Sequence, residues 1–213
     1  HADPHECFLF LLQIIGVFAG FPYEFNLLNP PTKQINQYIL AVRSEYLAVY
    51  NREFQQWSPL VDVFYNMVVT FIKCVSCGDT QRNIAPMSVI DLPIKVGDGT
   101  LVSYLNTFMN CEQVVDYKCD KCGVIGNTTL NRRFMTVTRN IVIALKRYSA
   151  TARGMIKDER PVLYDNVLDM RPYYAGDLDL YYKLRAVIIH SGGLEGGHYI
   201  NICNNTTKNE NTG

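Results

Sequence analysis

Apolar and polar positions along the chain first predict a helix. Asp3 stands as an N-cap and Pro4 at the first helical position, ahead of the run FLFLLQIIGVFAGF at 8–21, which predicts a helix over residues 3–20. That run is apolar on nearly every side, so burial on most faces is expected. Asn29-Pro30-Pro31 breaks the chain. Beyond it Thr32 is placed to cap, and Ile35, Ile39, Val42, Tyr46 and Val49 recur at helical spacing, giving an amphipathic helix over about 34–50. LVDVFYNMVVTFIK at 60–73 is β-branched and aromatic and reads as one strand running into Cys74. Thr100 caps a short helix with Leu101, Leu105 and Phe108 on one side. Residues 133–148 read as strand, with IVIAL at 141–145 as a core strand. YYKLRAVII at 181–189 and YINIC at 199–203 read as a hairpin around the loop HSGGLEGG. The closing stretch NNTTKNENTG is polar, and no internal repeat is visible.

Composition narrows the class. With 213 residues, 48% hydrophobic and 19% charged, the chain has enough material for one sizeable core. Lys+Arg and Asp+Glu each number 20, and that balance argues against nucleic acid as the main partner. The apolar run at 8–21 is too short to span a bilayer, is interrupted by Gln13 and lacks a basic flank, so neither a membrane span nor a signal peptide is expected. Seven cysteines cannot all pair within one chain, and two CxxC pairs point to metal instead. The expected compartment is therefore reducing and intracellular, cytoplasmic and/or nuclear.

The metal reading rests on C-V-S-C-G at 74–78 and C-D-K-C-G at 119–123. Each CxxC turns two sulfurs toward one ion, and the glycine after it permits a left-handed residue. Cys74, Cys77, Cys119 and Cys122 supply four thiolates, which meet the tetrahedral preference of zinc and leave no open position, so the zinc is structural. Lys73, Lys118 and Lys121 offset part of the charge. Cys7, Cys111 and Cys203 are left over and read as buried small hydrophobes.

HSGGLEGGHY at 190–199 is the second feature. His198 opens a strand directly after a glycine-rich loop, where backbone can come close to a substrate. A histidine there is a candidate general base for an attacking thiol, and a structural histidine is the other reading.

In order, HADPHECFLFLL, CVSCG, CDKCG, IVIALKRYS and LRAVIIHSGGLEGGHYINIC resemble the ubiquitin-specific protease family of deubiquitinating cysteine proteases. The resemblance spans almost the whole chain. It implies an α+β, papain-like fold in one catalytic domain. Residues 1–59 would belong to a helical thumb, 60–132 to zinc-ribbon fingers and 133–213 to a palm with the histidine hairpin. It implies ubiquitin or ubiquitinated proteins as partners and thiol-dependent cleavage after the ubiquitin Gly-Gly terminus. His198 matches the catalytic histidine, and Tyr148 and Tyr199 match aromatic positions lining the narrow channel for the ubiquitin tail. Asp3 and Glu6 match acidic positions that face the arginines of that tail; capping and dipole compensation at a helix start are compatible roles for both.

The family's nucleophile lies in a segment resembling GLxNxGNTCYMN, which precedes the QQDAHEF-like helix. No such string occurs in residues 1–213, so the nucleophile is expected upstream of His1. The triad's third member, in a WYxFDD-like strand, has no counterpart here either. The chain reads as a domain truncated at both ends and inactive alone; the alternative is a catalytically inactive module that binds ubiquitin or serves as a scaffold. HADPHEC and TRNIVIA depart from the family's usual wording.

Overall fold

In a computed structural model of the chain, the described residues are 3–19, 21–22, 39, 41–54, 56–57, 59–94, 98–110, 112–152, 154–193 and 196–204. Helix α1 (Pro4–Ala19) starts where the sequence places it. Asp3 Oδ1 accepts the His5 amide at 2.7 Å, and the Asp3 carbonyl takes the first helical bond from Cys7. One of the orphan N–H groups of the first turn is thereby satisfied. Over residues 8–13 the expected burial on most faces is not met. Leu12 is buried and Phe8 stacks edge-on against Phe64, but Leu9, Phe10 and Leu11 are exposed, Phe10 by 60%. Successive helical residues point about 100° apart, so neighbours on one side leave residues 9–11 uncovered. Among the described residues no helix is long and apolar enough to cross a membrane.

Strand β1 (Phe21–Pro22) pairs antiparallel with β2 (Gln56–Trp57). Of the helix expected over 34–50, residues 34–38 and 40 lie outside the described residues, and α2 spans Arg43–Glu53. Of the predicted stripe, Ile39, Val42, Tyr46 and Val49 are buried, joined by Tyr50, and Ile35 lies outside the described residues.

The single strand expected over 60–73 divides in two. Pro59–Phe64 is a short helix, α3, and strand β3 runs only from Asn66 to Cys74. Pro59 sits at the first helical position with Asp62 in the first turn, and the Tyr65 amide closes onto the Val61 carbonyl at 3.1 Å. These end signals outweigh the β-branched content. Strand β3 is an inner strand of an antiparallel sheet ordered β4-β3-β7-β6, built with β4 (Thr80–Met87), β6 (Glu112–Lys118) and β7 (Ile125–Phe134). The root of β3 is covered on both faces. Met67 and Val69 join the cluster of Tyr46, Tyr50 and Ile84, while Val68 joins Leu105, Phe108 and Met109 of α4 (Leu101–Asn110). That double burial explains the unbroken MVV run. Thr100 caps α4 as expected, its Oγ1 accepting the Ser103 amide at 3.2 Å. Arg132 fastens α4 to β7: its guanidinium lies 4.1 Å from the Phe108 ring centre and donates to the Phe108 carbonyl at 2.6 Å.

The strand expected over 133–148 also divides. β7 begins at Ile125 and stops at Phe134, and residues 135–142 form no strand. There side chains replace the ladder: Thr136 Oγ1 accepts the Met67 amide at 2.9 Å, and Asn66 Oδ1 accepts the Thr138 amide at 2.9 Å. Only Ile143–Lys146 of the IVIAL region is strand (β8), partly buried and parallel to β5 (Ile90–Pro93). Strand β9 (Tyr148–Thr151) turns back onto β10 (Gly154–Lys157). The run at 181–189 splits at Leu184–Arg185. Its first part is β12 (Tyr181–Lys183), paired with β11 (Val167–Asp169); its second belongs to β13 (Ala186–Gly192). The expected hairpin forms between β13 and β14 (Gly197–Cys203).

Candidate functional site

The four cysteines converge at the far end of the sheet, Cys74 ending β3 and Cys119 following β6. Their sulfurs all lie within 4.8 Å of one another, with Cys74–Cys122 at 3.9 Å and Cys77–Cys119 at 3.8 Å. Tetrahedral bonds of about 2.3 Å to one zinc imply sulfur separations of about 3.8 Å, so the set fits such an ion. Each knuckle closes with a glycine amide bonded back to the first cysteine carbonyl, Gly78 to Cys74 at 3.0 Å and Gly123 to Cys119 at 2.8 Å. Gly78 and Gly123 take φ of 72° and 70°, the left-handed residues the CxxCG pattern requires. The electrostatics also ask for a cation. Backbone N–H groups, first that of Cys77, bring the Cys74 thiol down to about 7. At Cys77 the Asp79 amide lowers the thiol, but burial and three neighbouring sulfurs win and push it up to about 12. Four thiolates cannot coexist at this spacing without a positive ion among them. Lys121 pairs with Asp79 at 3.0 Å beside the cluster.

The second site gathers α1, β9, β13 and β14. His198 stands opposite Ser191 in the hairpin, and Tyr199 opposite His190. Successive strand residues point to opposite faces, so His198 and Tyr199 diverge. The Tyr199 phenol is held above its ordinary range first by burial, then by the charges of Asp3, Tyr148 and Glu6. Charges from the start of α1 and from β9 therefore reach Tyr199 on β14. Asp3 caps α1 through one oxygen, and its charge also reaches Tyr199. His198 is exposed.

Two glycines shape the hairpin mouth. Gly192 has φ of 128°, and a Cβ there would sit 2.5 Å from Gly197 Cα. A Cβ on Gly197 would overlap the imidazole of His190. Leu194 and Glu195, at the loop tip, lie outside the described residues. Lys157 Nζ donates to the Gly192 carbonyl at 2.5 Å and pins β10 against the loop.

Neither cysteine left over within the described residues is a buried hydrophobe. Cys7 and Cys203 are exposed, because Cys7 lies on an uncovered side of α1 and Cys203 ends an exposed strand. Cys111 lies outside the described residues. The sequence reading did not single out His190. Its Nδ1 shares a 2.9 Å hydrogen bond with Tyr148 Oη, and its ring lies 4.6 Å from that of Tyr199. The signal was its position at the start of HSGG, in the hairpin partner of the GGHY strand.

Comparison with known proteins agrees with this arrangement. Residues 1–211 match the family model described as ubiquitin carboxyl-terminal hydrolase. The chain is 28% identical over 202 residues to ubiquitin carboxyl-terminal hydrolase 4 of Vanderwaltozyma polyspora, covering 80% of this chain and 22% of that protein. It is 29% identical over 143 residues to the probable ubiquitin carboxyl-terminal hydrolase 8 of Schizosaccharomyces pombe, covering 67% of this chain and 31% of that one. Among solved structures, a chain of the SAGA DUB module bound to monoubiquitin superposes with a TM-score of 0.66 at 22% identity, covering 95% of this chain and 40% of that chain. The yeast SAGA DUB module gives 0.68 at 22% identity, covering 94% and 42%. The chain thus spans about a fifth to a third of the curated relatives named and about two fifths of the structural ones. The shared fold is the mixed helix-and-sheet, papain-like fold of deubiquitinase domains, with its cysteine cluster at the end of the sheet. With residues 1–211 of its 213 residues matched by that family model, the chain belongs to the ubiquitin carboxyl-terminal hydrolase family.

Proposed function

We propose that this chain is part of a cysteine-type deubiquitinase domain, cleaving after the Gly-Gly terminus of ubiquitin with His198 as general base. The observation that carries the reading is the match of residues 1–211 to the ubiquitin carboxyl-terminal hydrolase model, with Tyr148, His190 and Tyr199 gathered at the hairpin that bears His198. Tyr148 and Tyr199 form a slot that glycine passes and larger residues do not, and the two carboxylates meet the arginines of the ubiquitin tail. His198 takes the proton of a cysteine thiol, and the thiolate attacks the carbonyl of the last glycine. That thiol is supplied by chain outside residues 1–213, and these residues alone are inactive.

The sheet contributes binding. An open concavity of about 530 Å³, lined by Phe71, Lys73, Thr80, Thr129, Asn131 and Arg133, lies between its covered root and the knuckles. It is suited to the globular body of ubiquitin, and ubiquitin-bound relatives of the same fold support that partner. The four cysteines hold a structural zinc, and their reduced state suits a reducing, intracellular setting, cytoplasmic and/or nuclear. The three sub-regions 1–59, 60–132 and 133–213 then serve as thumb, fingers and palm.

The second reading is a module that binds ubiquitin without turnover. Turnover of a ubiquitin–fluorophore amide by the full-length chain, abolished by His198→Ala, supports catalysis. Binding of ubiquitin without turnover selects the second reading. Neither binding nor turnover overturns both.

A further inference from the structure

His190 is held from four directions. Its Nδ1 bonds Tyr148 Oη at 2.9 Å, its ring lies 4.6 Å from Tyr199 at a 35° tilt, and it rests over the bare Cα of Gly197. Its carbonyl receives Lys157 Nζ at 3.4 Å. The His190 ring thus contacts both tyrosines, its centre 6.5 Å from that of Tyr148 and 4.6 Å from that of Tyr199. His190 and Tyr199 share one face of the hairpin and His198 takes the other, so the imidazole acts on His198 only through the Gly197 backbone. A spacer that merely filled volume would need no polar link; this one ties β9 to β13 by a hydrogen bond at the slot itself.

We propose that His190 is a positioning residue that fixes the distance between Tyr148 and Tyr199, and thereby sets how strictly the slot admits glycine. The inference rests on the reading of Tyr148 and Tyr199 as the walls of the tail channel. Removing the wedge frees the walls to part. Binding of non-glycine tails then improves relative to glycine tails, and the absolute loss with the native tail is the smaller effect.

The test uses the full-length chain and two forms of ubiquitin, native and with the penultimate glycine replaced by alanine. Affinities for both forms are measured by calorimetry, and kcat and KM with the corresponding fluorophore amides. His190→Ala is expected to reduce discrimination between the two tails by about tenfold. His190→Asn, whose amide reaches the Nδ1 position, is expected to restore most of it, and His190→Leu is not. Tyr148→Phe in the His190→Leu background should add no further change. Equal losses for both tails, or an unchanged ratio in His190→Ala, would overturn the proposal and leave a purely structural histidine. The affinity ratio needs no turnover, so a parent that binds with tail discrimination but does not cleave still tests His190. A parent that binds neither form overturns the channel reading and this inference with it.

Discussion

Asn66 and Thr138, 72 positions apart, hold each other through two hydrogen bonds in the protein interior. Asn66 Oδ1 accepts the Thr138 amide at 2.9 Å and the Thr138 hydroxyl at 3.2 Å, and Asn66 is only 3% exposed. The Thr138 carbonyl in turn accepts the Tyr182 hydroxyl at 2.6 Å, so this joint reaches from the root of the sheet to β12. Asn66→Leu leaves a buried N–H without an acceptor, at a cost of about 1–3 kcal/mol. The urea midpoint should fall with the slope unchanged, and an unchanged midpoint would show that the joint is redundant.

Metal removal should be a local event. We expect one tightly bound divalent ion per chain, with chelation raising amide exchange over 74–79 and 119–127. Protection at Leu105, Met109 and Phe134, which lie in a separate buried cluster, should persist. Exchange that rises equally at Met109 would mean that the ion holds the whole domain together.

Alanine at three glycines should give two kinds of defect. Gly78 and Gly123 have open space around the missing Cβ, so Gly78→Ala and Gly123→Ala meet only left-handed backbone strain, about 1–2 kcal/mol, and weaken metal affinity to match. Gly197→Ala drives a Cβ into the His190 ring and to within 2.5 Å of the Ser191 carbonyl. That change should displace the imidazole and alter tail affinity while leaving metal affinity alone. Parallel metal and ubiquitin titrations separate the two outcomes.

One acid-sensitive contact joins Asp158 and Arg160, just after β10. Hydrogen bonds from Arg160, with Oδ1 and Oδ2 of Asp158 each 3.0 Å from Nε, hold the Asp158 carboxyl down at about 2. A depressed carboxyl favours the folded state at pH values above its unfolded value near 4 and loses that advantage as pH falls toward 2. Asp158→Asn should therefore flatten the acid limb of the stability curve between about pH 4 and 2. Identical acid limbs in parent and variant would assign the loss to other carboxylates.

Features fixed by neighbours in sequence were readable beforehand. The Asp3 and Thr100 caps, the α2 stripe, the β13–β14 hairpin and the two knuckles each depend on spacings of a few residues. Strand boundaries depended on distant partners. Nothing local says that Thr136 and Thr138 surrender their ladder positions to Met67 and Asn66, and so 133–148 read as one strand. Helix α3 was hidden because LVDVF is apolar and β-branched, although Pro59 marked its start. At the site, Asp3, Glu6, Tyr148, Tyr199 and His198 were named through the family resemblance. His190 was not, because its contacts come from a cross-strand neighbour, from Tyr148 on β9 and from an absent Cβ.

Strand β3 is gripped on both sides where it begins and on neither side of a hydrophobic cluster where it ends. Mechanically it is a beam clamped at one end, with its free end formed by two hairpins that would otherwise splay. A rivet placed there contributes little to whether the protein folds and much to the stiffness of its outer half. If an ion fills the cysteine cluster, the rigidity with which this sheet presents its open face would follow the occupancy of that cluster, apart from the core and the histidine hairpin.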